Sequence, residues 1–85
     1  MAGVDLSTLS SELAKLRTAL HDRSSTPEQD MVLGQIAAAE TAAKEGNGAH
    51  VLQYLKMAGR WAFDVASEIG TSVAAEAIKR ALGLA

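Results

Sequence analysis

The chain has 85 residues, enough for one small domain, and carries 8 Lys and Arg against 10 Asp and Glu for a formal charge of -2. A core of this size leaves only a few kcal/mol of net stability, roughly 3–5, so stabilising devices matter. The absence of cysteine excludes disulfides and thiolate-bound metal centres and fits a reducing, cytoplasmic setting. Charges of both signs are scattered, which argues against a nucleic-acid footprint, and no apolar run approaches the roughly 20 residues of a membrane span. The start, Met1-Ala2-Gly3-Val4-Asp5, lacks the basic and apolar regions of a signal peptide, and its glycine stands one place too late for myristoylation.

Alanine dominates the apolar residues while β-branched and aromatic residues are few, which favours helices over strands. The reading is all-α: a single four-helix, bundle-like domain over residues 1–85, with short connections and the third helix at its centre. The first helix is predicted over about residues 5–21. Leu6, Leu9, Leu13, Leu16 and Leu20 recur at alternating steps of three and four, the spacing of a heptad seam. So narrow a seam places this helix on the outside with one stripe inward.

The second helix is predicted over about 26–45. Thr26 is a good N-cap, Pro27 suits the first helical position, and Gln29 can close a capping box. Gly46-Asn47-Gly48 supplies left-handed residues to end it. Val32, Ile36, Ala39 and Ala43 form its apolar stripe, and Glu40 is expected on an outer face with Glu45 and Glu68. The third helix, about 49–69, has apolar residues over an arc of roughly 200° centred on Val51, Leu55, Ala58, Ala62 and Ile69. The fourth, about 71–82, begins at the cap candidates Thr71 and Ser72 and ends at Gly83. A tight corner at Gly70 joins it to the third.

No constellation for catalysis stands out. His21 and His50 lie near helix ends, where a surface or capping role is the ordinary one, and neither has a partner at metal-ligand spacing. No enzyme, no cofactor and no metal are expected. The run Val65 to Val73 through Gly70 has the look of a helix-turn-helix, which makes a small DNA-binding or antitoxin-like regulator the alternative reading. Against it stand the length of the third helix, the polar Thr71 after the turn, Glu76 where the motif packs an apolar residue, and the acidic chain. The amphipathic third and fourth helices have polar faces of mixed sign, unlike a membrane-surface helix.

Protein surfaces remain the expected partners, either another protein or a second copy of the chain. Two candidate surfaces can be named: the seam Leu9, Leu13 and Leu16, and the edge Tyr54, Met57 and Trp61 at helical spacing on the third helix. Aromatic residues and Met anchor interfaces, yet the same residues also finish cores, so both uses stay open.

The run Ala58-Gly59-Arg60-Trp61-Ala62-Phe63-Asp64 through Gly70, followed by Ala74-Ala75-Glu76-Ala77-Ile78-Lys79-Arg80 through Leu84, resembles a C-terminal helical segment of uncharacterised bacterial proteins. Residues 39–48 share that look. Some such proteins are similar to components of bacterial conflict or antiphage systems, in which small helical domains act as adaptors or assembly modules. The resemblance implies that role here. A death-fold-like domain is a further analogy, and the four punctuated helices depart from its usual six.

Overall fold

The computed structural model describes residues 5–84; the stretch 1–4, on which the reading of the N-terminus rests, lies outside them. The described residues form four helices, α1 (Leu6–Arg23), α2 (Pro27–Lys44), α3 (Gly48–Glu68) and α4 (Ser72–Leu82), joined by three connections of three residues each. Each helix packs on the next in sequence, and α1 also touches α3 and α4, so the chain closes on itself; α2 and α4 do not meet. The result is an all-α bundle in which α3 touches every other helix, as does α1.

Local chemistry sets most of the boundaries. Asp5 caps α1 by accepting the Ser7 amide at 2.9 Å and the Thr8 hydroxyl at 3.0 Å. Thr26 caps α2 through the Gln29 amide at 3.1 Å, while the Gln29 side chain reaches back to the Ser25 amide at 2.8 Å, one residue before the cap. At the end of α2, Gly46 takes φ 74°, and the Asn47 amide returns to the Ala42 carbonyl at 2.9 Å. Asn47 then caps α3 through the His50 amide, so the Gly-Asn-Gly run stops one helix and starts the next. Gly83 closes α4 in the left-handed region.

Two features differ from the sequence reading. The first is α3, expected as one continuous rod. Gly59 adopts φ 81° and ψ -165°, which divides the helix into two halves. Helical spacing between Met57 and Trp61 therefore does not imply a shared straight edge. The second is the start of α4. Thr71 makes no side-chain cap; its hydroxyl is buried and donates to the Ala66 carbonyl at 2.9 Å. The capping acceptor comes from α1, where Glu12 receives the Ala74 amide at 2.9 Å. A carboxylate there satisfies an otherwise open N–H and meets the positive end of the helix dipole.

The core joins large residues from α1 to small ones elsewhere. Leu9, Leu13, Leu16 and Leu20 are wholly buried together with Ile36, Val51, Leu55 and Ile78. Around them lie Ala39, Ala42, Ala43, Ala58, Ala62, Ala66, Ala74 and Ala77, all buried. Two substitutions follow from this arrangement. Leu13→Ala is expected to cost about 2–5 kcal/mol, comparable with the whole stability of so small a domain, and so to leave much of the chain unfolded. Glu12→Ala is expected to cost about 1 kcal/mol by uncapping α4. Urea unfolding followed by circular dichroism measures both.

Candidate interaction surface

The two surfaces expected from the sequence have different fates. Leu9, Leu13 and Leu16 are wholly covered by their own chain, so the seam is core and presents nothing to a second molecule while the fold is closed. A narrow stripe reads the same whether it meets its own domain or a copy. Here α2, α3 and α4 supply the covering residues.

The α3 edge is split. Tyr54 is half-buried, and its ring meets that of His50 edge-on at 6.3 Å. Trp61, beyond the break at Gly59, is half-buried and packs against the core cluster. Met57 alone of the three is exposed, at 59%. It has a companion that the sequence did not single out: Met31 of α2, 68% exposed. The two line one open hollow of about 400 Å³ together with Glu28, Val32 and Gln35. Single exposed apolar residues are ordinary on protein surfaces. Two methionines from different helices, facing one hollow between polar neighbours, form a small adaptable apolar patch.

Glu40 is the other residue placed differently from expectation. Set on an outer face in the sequence reading, it is buried to 7% exposure. Arg17 Nε of α1 donates to one carboxylate oxygen at 2.9 Å, and Lys44 Nζ lies 3.1 Å from the other. Burial alone would raise this carboxyl; the hydrogen bonds and charges of Arg17 and Lys44 outweigh it and hold the group below the usual glutamate range. This is a structural clamp between α1 and α2. Glu45 and Glu68 are exposed, as expected.

His21 is exposed beside Asp22 at 3.8 Å, and His50 Nδ1 lies 2.9 Å from the side-chain Nδ2 of Asn47 at the α3 cap. Among the described residues no three His, Asp or Glu side chains gather where they could hold a metal ion. The corner at Gly70 encloses a second hollow, about 300 Å³, lined by Phe63, Ser67, Glu76 and Lys79 among others. Glu76 is exposed there and lies 3.6 Å from Arg80. Among the described residues no helix is long and apolar enough to cross a membrane. No protein-family model, curated protein or solved structure matches the chain.

The clamp has a pH signature. The folded Glu40 carboxyl binds its proton less readily than the unfolded one, so its contribution is present above the unfolded pKa and is lost as pH falls through the folded value. Asp5, whose carboxyl is lowered by its bonds to the Thr8 hydroxyl and Ser7 amide, acts in the same direction. Stability should therefore decline below about pH 5. Glu40→Gln should cost about 1–2 kcal/mol at neutral pH, discounted for the half-exposed Arg17, and should flatten the acid limb. Urea midpoints from pH 7 to about pH 3 check the sign and the flattening.

Proposed function

We propose that this chain is a non-enzymatic protein–protein interaction module, an adaptor or homotypic assembly domain, which acts through the apolar hollow between α2 and α3. The observation that carries the reading is the pairing of Met31 and Met57, 68% and 59% exposed, across one hollow. Two large apolar side chains exposed at one hollow offer area that a partner surface gains by covering. Unbranched thioether side chains suit that use, because they reshape to a partner at little cost. Glu28 and Gln35 at the same hollow supply polar groups beside the apolar centre, the usual arrangement of an interface. The resemblance of the C-terminal half to a helical segment of uncharacterised bacterial proteins, some of them similar to components of conflict systems, is in keeping with the same reading, with a cytoplasmic defence assembly as the proposed setting.

The double substitution Met31→Lys with Met57→Lys tests the proposal. Both positions are exposed, so stability should change by no more than about 0.5 kcal/mol per site. Binding to a partner captured from the source cell, or self-association followed by light scattering, should weaken at least about tenfold. Full binding by the folded double variant would show that the hollow is not the docking surface. Salt-sensitive retention on DNA that survives the double substitution would favour the Gly70 corner instead.

A further inference from the structure

The break in α3 is not required by the residues around it. Gly59 stands at φ 81° and ψ -165°, a region open essentially to glycine alone. The other glycines of positive φ, Gly46, Gly70 and Gly83, lie where helices end; Gly59 lies inside one. A Cβ added at Gly59 would meet nothing within 4 Å, so close packing is not what calls for glycine there. Only the backbone angle is.

The flanking sequence favours the straight form. Buried positions run Val51, Leu55, Ala58, then Ala62, Val65 and Ala66, so the steps of three and four continue through the break. An unbroken α3 would carry one uninterrupted apolar stripe and would regain regular helical bonds where the break removes them. The bent form is therefore held from outside α3, by the packing of residues 60–84 on α1. Three ties hold it there. Glu12 of α1 accepts the Ala74 amide at 2.9 Å, Arg23 of α1 lies 3.9 Å from Glu68, and Ala74, Ala77 and Ile78 share the core cluster with the α1 leucines. Among the described residues the backbones of α4 and α2 do not pack on one another.

We infer that Gly59 is a hinge through which two copies of this chain exchange residues 60–84. Straightening α3 carries that segment off α1 of its own chain, and the same segment of a second copy takes its place. Every tie to α1 that opens within one chain closes again between chains, so the exchange sets the helical bonds gained by two straightened α3 helices against the freedom given up on association. The occupant of the uncovered α1 face is fixed by complementarity already present, since residues 60–84 are what covers it in the closed chain. The exchange goes beyond the methionine hollow and does not depend on it.

The test uses the absence of native cysteine. Arg23→Cys and Glu68→Cys join two exposed positions that already form an ion pair across the α1–α3 contact. In the bent chain a bismaleimide long enough to span the former Arg23–Glu68 ion pair joins the two thiols within one chain; in the exchanged pair it joins two chains. Gly59→Ala, which disfavours the bend, should tighten the dimer by roughly tenfold per hinge and give covalent dimers on denaturing gels. A d-alanine at position 59, introduced by chemical synthesis, accommodates the positive φ and should return the cross-linked product to monomers. Covalent monomers from a folded Gly59→Ala chain would overturn the inference. Should that variant fail to fold, the double-cysteine chain with Gly59 is equilibrated across a series from micromolar to millimolar, then diluted and cross-linked at once, so that chance collisions do not link chains. A rising share of covalent dimer upholds the exchange, and monomer throughout refutes it. Because Met31 and Met57 are untouched in every arm, failure here is separate from failure of the docking surface.

Discussion

Everything in this fold depends on the leucine stripe of α1. Of the eight largest wholly buried side chains, Leu9, Leu13, Leu16 and Leu20 come from this one helix. The other helices contribute mainly alanines, which bury little area themselves but let backbones approach closely. Alanine-rich surfaces have no reason to pack on one another without a large apolar body between them, because the driving force scales with the apolar area removed from water. Helix α1 supplies that body to α2, α3 and α4 at once. Close packing of large on small then makes the core sensitive to the loss of even a few methylenes.

Polar groups fix where α1 sits along the others. Glu12 reaches the start of α4, Arg17 reaches buried Glu40 of α2, and Arg23 lies near Glu68 at the end of α3. The three ties span α1 and fall on three different helices. Their energies are unequal: the bond at Glu12 satisfies a helix terminus, the pair at Glu40 has a buried carboxylate but a half-exposed Arg17, and the exposed Arg23 contact contributes little. What they share is geometry. A leucine stripe alone tolerates sliding by a turn, whereas a carboxylate on one particular amide does not. No buried side-chain nitrogen or oxygen among the described residues lacks a hydrogen-bond partner.

Much of this is legible in the residues, and the parts that are not have physical reasons. Thr26-Pro27, Gly46 and Gly83 announce helix ends because caps and left-handed turns use few residue types, and the seam announces itself by spacing. Glu40 carries a readable signal: it stands four residues after Ile36 and between Ala39 and Ala43, on the inward stripe, yet its carboxylate argues for the outside. Only the tertiary partners Arg17 and Lys44 make that burial tolerable. Glu12 cannot be found locally, since its amide partner is 62 residues away. The break at Gly59 is hidden because apolar spacing runs unbroken across it and glycine is tolerated in helices. Met31 likewise becomes part of a surface only when α3 brings Met57 beside it.

The arrangement separates two jobs. The inner face of α1 is covered by the fold itself, and the exposed methionines, proposed above as the docking surface, lie across α2 and α3. The most direct measurement is isotope-filtered methyl NMR on a mixture of labelled and unlabelled chains. A core built on the α1 stripe requires that the α1 leucine methyls contact alanine methyls of α2, α3 and α4. It also requires no contact between the α1 leucines of one chain and those of another. Leucine-to-leucine contacts between the α1 helices of two chains would contradict it, because the seam would then be an interface and the core described here would not exist.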